Sequence, residues 1–215
     1  MEERELRDFI CEVGRNIWER QMVAANDGNI TAKLDDGTIL CTPTGVSKGY
    51  LKPKMLTRMT VDGDVVEAAP SGHRPTSEVK MHLRMYRANP AIGGCVHAHP
   101  IYGTVFAIKG EPLVKKMMPE SVIAMPEVPL APYATPSTEG VADSTEPFAH
   151  SYSACLLEQH GAFSWGKTLM DAYLAMERLE YTAKMTLLAR LIGGERELPE
   201  AEIAKLIGMR AQYGL

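Results

Sequence analysis

Apolar side chains at Leu6, Phe9, Ile10, Val13 and Ile17 follow the i, i+3, i+4, i+7 rhythm of one helical face, which predicts an amphipathic helix over about residues 3–23. Ala25-Asn26-Asp27-Gly28-Asn29 breaks that rhythm, and the period changes to that of strands. Residues 29–33 and 38–42 pair about the turn Asp35-Asp36-Gly37, and residues 58–61 and 65–67 pair about Asp62-Gly63. After a stretch rich in Pro, Ser and Gly at 70–77, Ser77 can cap a helix from Glu78 to about Ala88, stopped by Asn89-Pro90. Residues 91–97 carry almost no polar face and read as a central strand.

Pro100-Ile101-Tyr102 opens a short helix to about Ile108, residues 128–131 suggest a further strand, and Ser137 can cap a helix from Thr138 that Pro147 disturbs. Residues 153–158 and 162–165 are strands about the turn His160-Gly161. The capping box Thr168-x-x-Asp171 starts a helix to about Leu191, with a core stripe of Leu169, Tyr173, Met176, Ala183 and Leu187, and residues 202–210 form a last short helix. Helices interspersed with hairpin strands predict an α/β (α+β) fold in which helices cover a mainly antiparallel sheet. No repeat or long linker divides the chain, so one domain over residues 1–215 is expected.

Composition narrows the partners. A formal net charge of −4, with 45% hydrophobic and 23% charged residues, describes a globular chain without the basic clustering that nucleic-acid binding needs. No apolar run approaches the ~20 residues of a membrane span. Met1-Glu2-Glu3-Arg4-Glu5 has no basic region leading into an apolar core, so no secretory leader is read and a cytoplasmic protein is expected. Cys11, Cys41, Cys95 and Cys155 lie far apart in apolar segments and are expected to be buried reduced thiols.

Candidate chemistry starts at Val96-His97-Ala98-His99. In an extended strand, side chains at i and i+2 share a face about 6.6 Å apart, a span that two imidazoles can close on one ion. His160, projecting from a strand end beside Gly161, offers a third nitrogen, and three neutral imidazoles suit an open divalent-metal site. Glu78 follows Pro75-Thr76-Ser77 at a helix start. Hydroxyls and backbone N–H groups there can take a phosphate, and the carboxylate beside them can serve as an acid–base group. Gly28-Asn29 and Pro43-Thr44-Gly45 repeat that small-residue chemistry, while ordinary turns are the commoner explanation of either one taken alone. Glu78 and His82 are spaced i, i+4 on one helix and could themselves bind metal; His82 is expected not to be a ligand.

Taken in order, Gly28-Asn29-Ile30-Thr31, Thr42-Pro43-Thr44-Gly45, Pro75-Thr76-Ser77-Glu78, Val96-His97-Ala98-His99, Ala131-Pro132-Tyr133-Ala134-Thr135, Gln159-His160-Gly161 and the tail Tyr213-Gly214-Leu215 resemble the class II aldolase/adducin family, most closely its L-fuculose-1-phosphate aldolase branch. The resemblance implies a three-layer α/β/α fold and a homotetramer with active sites at subunit interfaces. It implies one Zn2+ per subunit on His97, His99 and His160, a catalytic Glu78, and tyrosines Tyr133, from a neighbouring subunit, and Tyr213. Gly28, Asn29, Thr44, Gly45, Thr76 and Ser77 match its phosphate pocket. The implied reaction is retro-aldol cleavage of a ketose 1-phosphate to dihydroxyacetone phosphate and an aldehyde.

Other branches stay open. They include aldolases for L-rhamnulose or 5-deoxy-ribulose 1-phosphate, an L-ribulose-5-phosphate 4-epimerase, a methylthioribulose-1-phosphate dehydratase, and a non-enzymatic adducin-like domain. The epimerase branch typically carries Asp where this chain has Glu78, which favours carbon–carbon cleavage over epimerisation, and adducin-like domains lose the metal histidines, whose presence here favours an enzyme. Thr76 stands where Ser is common and Ala98 where the fuculose enzyme has Asn, which leaves the sugar undetermined. His73 and Arg74 have no assigned counterpart.

Overall fold

The computed structural model describes residues 2–214; Met1, and Leu215 at the end of the tail motif, lie outside the described residues. Eight strands form one sheet: β1 (Asn29–Lys33), β2 (Ile39–Cys41), β3 (Thr57–Met59), β4 (Val65–Glu67), β5 (Gly94–Ala98), β6 (Leu130–Ala131), β7 (Ala154–Leu157) and β8 (Gly161–Gly166). Their order is β4-β3-β2-β1-β5-β8-β7-β6, antiparallel throughout except for the parallel β6–β7 pair. Among the described residues seven α-helices accompany them: α1 (Glu3–Glu19), α2 (Val79–Ala88), α3 (Ile101–Lys109), α4 (Pro119–Ala124), α5 (Glu139–Thr145), α6 (Leu169–Leu191) and α7 (Glu200–Met209).

The period-two alternation of the strands decides the layers. Ile30, Ala32, Val96, Ala98 and Leu156 enter a core covered by α1, α3 and α6. Their neighbours Cys95, Cys155, Leu157, Phe163 and Trp165 face a second core under α2 and α5. A mixed α/β fold with helices on both sides of a largely antiparallel sheet results, as the pattern predicts. On α1 the buried residues are Leu6, Ile10, Val13, Gly14 and Ile17, the face read from the periodicity. On α6 the capping box is formed: the Asp171 backbone N–H donates to Thr168 Oγ1 at 3.1 Å, and the Thr168 N–H donates to Asp171 Oδ2 at 3.0 Å.

The differences have local causes. α1 stops at Glu19, short of residue 23, because Gln21 takes a left-handed φ of 59°. β5 starts at Gly94 rather than 91, because Asn89 Oδ1 accepts from the Ala91 N–H at 3.1 Å and holds those residues in a turn. Ser77 does not cap α2. Glu78 occupies the N-cap position without a side-chain cap, and the Ser77 hydroxyl accepts from Ser137 at 3.0 Å. Likewise Thr138, not Ser137, stands at the N-cap of α5, since Ser137 has a φ of 68°. α4 carries too short a pattern to read in advance. All four cysteines are free thiols, and only Cys11 is partly exposed. Among the described residues no helix is long and apolar enough to cross a membrane.

Candidate metal centre

Sheet register assembles the centre. In β5, His97 lies opposite Asn29 of β1 on one side and Phe163 of β8 on the other. His99 follows the strand end by one residue, and His160 sits in the turn between β7 and β8. Gly161 makes the approach feasible: a Cβ there would meet His99 Cδ2 at 2.6 Å and the Ala98 carbonyl oxygen at 2.7 Å. Gly28, with φ +77°, is needed for the same reason, because a Cβ would lie 2.8 Å from the His97 carbonyl oxygen.

The structure brings His97, His99 and His160 together, with one potential ligand atom of each within 4.8 Å of the others. Each of the two strand-borne imidazoles has its orientation fixed from behind. His97 Nδ1–H donates to the Ala162 carbonyl at 2.9 Å, and His99 Nδ1–H to Asp27 Oδ2 at 3.2 Å. Those bonds place the lone pair of each ring on Nε2. Both Nε2 atoms are buried without a hydrogen-bond partner, and so is Glu78 Oε1. Buried polar atoms are ordinarily paired, so three unpaired acceptors around one space fit a divalent cation. Burial, followed by repulsion from the other imidazoles, holds His97 well below the usual histidine range; burial also lowers His160 against the pull of Glu78. Neutral imidazoles are the ligating form.

Glu78 completes the cluster. Its Oε2 accepts from Asn29 Nδ2 at 2.8 Å, while Oε2 and Oε1 lie 3.5 Å from the Nε2 atoms of His97 and His160, respectively. His82 is not among the three clustered imidazoles. It is fully buried, hydrogen-bonded on both nitrogens, and pushed down to about 3 by burial.

The loops read as a phosphate pocket are neighbours. Pro43 bridges Pro75, the Thr44 N–H donates to the Arg74 carbonyl at 3.0 Å and the Thr76 N–H to the Thr42 carbonyl at 3.0 Å. Those two N–H groups are therefore taken; Thr44, Gly45 and Ser77 remain exposed at the rim, with Gly28, Asn29 and Thr76 buried behind. Tyr133 and Tyr213 are both exposed, and among the described residues neither phenol hydrogen-bonds to the histidines or Glu78.

Sequence reasoning missed two groups. Asp27, which orients His99, was read only as part of a helix stop. Lys48 is 1% exposed; its ammonium donates to the carbonyls of Asn26, at 3.1 Å, and Val46, tying the loop before Gly28 to the loop after Gly45. Burial pushes it down to about 8, opposed by Asp27, Cys41 and Glu78. No spacing signal marks either residue. Replacing Asp27 by Ala is expected to weaken divalent-metal affinity by ~10–100-fold with the fold retained. A competition titration against a chromophoric chelator, with circular dichroism alongside, measures both.

The profile of the Class II Aldolase and Adducin N-terminal domain matches residues 8–187. The 3-oxo-tetronate 4-phosphate decarboxylase of Escherichia coli O6:H1 is 33% identical over 210 residues, 95% of this chain and 96% of that protein. The L-fuculose phosphate aldolase of Methanocaldococcus jannaschii is 31% identical over 186 residues, 86% of this chain and 97% of that protein. Among solved structures, YgbL from Escherichia coli superimposes with a TM-score of 0.87 at 31% identity, covering 95% of this chain and 99% of that one. An L-fuculose 1-phosphate aldolase superimposes with a TM-score of 0.86 at 27% identity, covering 98% and 97%.

Proposed function

This chain belongs to the class II aldolase and adducin family, and on that footing we propose that it is a divalent-metal-dependent lyase that breaks the carbon–carbon bond one position removed from the ketone of a small phosphorylated substrate. The observation that carries this is the ring of unpartnered acceptors, Nε2 of His97 and His99 and Oε1 of Glu78. His97, His99 and His160 would hold the ion, Zn2+ by the nitrogen-only ligand set. When bound, it supplies Lewis acidity toward the negative charge that grows on the ketone oxygen as the bond breaks.

The protein residues do the rest. Thr44, Gly45, Thr76, Ser77, Gly28 and Asn29 take the phosphate, with the Lys48 ammonium behind their loops, and so turn distant binding energy into orientation. Glu78, held at Oε2 by Asn29, hands a proton from Oε1 to the substrate carbon left as an enediolate, completing dihydroxyacetone phosphate.

Two leaving groups fit that sequence of events. Decarboxylation of 3-oxo-tetronate 4-phosphate releases CO2, which has no hydroxyl proton to surrender, so the described cluster suffices. The 33% identity over 95% of the chain to a decarboxylase supports this as the first reading. Cleavage of L-fuculose 1-phosphate releases an aldehyde, and a base must take its hydroxyl proton. The exposed phenols of Tyr133, from a neighbouring copy, and Tyr213 are the candidates, and the tail motif with the match to the Methanocaldococcus jannaschii aldolase supports this second reading. The apolar Ile101, Val105 and Ile108 leave one face of α3 exposed, which suits a homotetramer with sites between copies.

Coupled assay of dihydroxyacetone phosphate tests the choice. The decarboxylase reading expects 3-oxo-tetronate 4-phosphate to be turned over at least ~10-fold faster than L-fuculose 1-phosphate, and Tyr213→Phe to leave that activity intact. The reverse preference, with loss in Tyr213→Phe, assigns the aldolase; release from neither substrate overturns the lyase.

A further inference from the structure

We propose that His82 is a positioning residue for Glu78, acting through the side-chain amide of Asn29. The inference rests on reading Glu78 as the proton carrier and adds a residue to that machinery. A continuous polar chain runs from the carboxylate into the core under α2. Asn29 Nδ2 donates to Glu78 Oε2 at 2.8 Å, Asn29 Oδ1 meets His82 Nε2 at 2.5 Å, His82 Nδ1 meets Thr31 Oγ1 at 2.9 Å, and Thr31 Oγ1 meets the Tyr86 phenol at 2.8 Å.

Donor counting gives this chain one direction. Glu78 Oε2 accepts, the proton to be transferred belonging to Oε1, so Asn29 must present its NH2 to Glu78 and its carbonyl oxygen to His82. His82 must therefore carry its proton on Nε2, its Nδ1 must accept from the Thr31 hydroxyl, and Thr31 must accept from Tyr86. Each group is locked by the next. Asn29, His82 and Thr31 are 2%, 0% and 0% exposed, so no solvent water replaces a missing partner. The ring is wedged edge-on against Phe163, centroids 4.9 Å apart, and Phe163 is the register partner of His97. An amide that has lost its Nε2–H donor can turn its oxygen toward Glu78, and the carboxylate then swings out of line.

The test uses His82→Leu, His82→Gln and Glu78→Gln in the full chain, loaded with Zn2+ and assayed with the substrate that the native enzyme turns over. His82→Leu is expected to lower kcat by about 10- to 100-fold with metal content unchanged. His82→Gln, whose amide N–H can reach Asn29, recovers about tenfold of that loss. In native protein with 15N-labelled histidine, the His82 ring is expected as the Nε2–H tautomer, a readout that needs no variant to fold. Native kcat in His82→Leu alongside an inactive Glu78→Gln, no recovery in a folded His82→Gln, or an Nδ1–H tautomer overturns the positioning role alone. Native turnover in Glu78→Gln overturns the reading of Glu78, and this proposal with it.

Discussion

Replacing Glu78 by Gln is expected to lower turnover at least ~100-fold, about 2.7 kcal/mol of barrier, while the protein keeps its metal and its fold. The substitution preserves shape and removes only the ability to hold and release a proton. Oε2 is engaged by Asn29, and Oε1 is buried without a hydrogen-bond partner, so the unpaired oxygen is the one to which the proposed proton transfer is assigned. A glutamine can still pair with Asn29, but its other end becomes an amide nitrogen with neither an acidic proton nor an available lone pair. KM is expected to change by less than about threefold, since Thr44, Gly45 and Ser77 lie on other loops. Steady-state kinetics with metal analysis of the same preparation decides; a variant with native kcat would remove Glu78 from the chemistry.

The second large effect is expected from His160→Ala. His160 lies in the β7–β8 turn and is only 12% exposed, whereas His97 is clamped between two strands, so His160 is the imidazole whose loss disturbs the sheet least. Losing one of the three proposed ligands is expected to reduce turnover at least ~1,000-fold, the several kcal/mol that a Lewis acid supplies. Chelator treatment of native protein should give the same loss, reversed by adding back the divalent ion. Stability gives an independent readout: an ion at ~1,000 times its dissociation constant stabilises the folded state by about 4 kcal/mol, so saturating Zn2+ should raise the melting temperature of native protein and leave that of His160→Ala unchanged.

Much of this was legible in the residues because the strong signals are local. The face of α1, the hairpin about Asp35-Asp36-Gly37 and the Thr168 capping box are set by neighbours within a few positions, and they formed as read. The three histidines were legible for a related reason: the i, i+2 rule puts His97 and His99 at one strand end, and Gly161 marks His160 as a turn residue. What stayed hidden depends on contacts between distant segments. Asp27 meets His99 across 72 positions, His82 meets Asn29 across 53, and Lys48 meets the Asn26 carbonyl across 22. No periodicity encodes such pairings. Ser77 misled for a physical reason, because its hydroxyl found a partner in Ser137 and left the N-cap to Glu78.

The proposed chemistry requires three imidazoles that hold one ion beside a carboxylate. Elemental analysis of zinc-loaded, gel-filtered protein, paired with X-ray absorption at the metal edge, measures this directly. The expected result is one ion per chain with imidazole nitrogen donors in the native protein, and close to none in His160→Ala. A full complement of metal in His160→Ala, or a native protein that retains none, would contradict it.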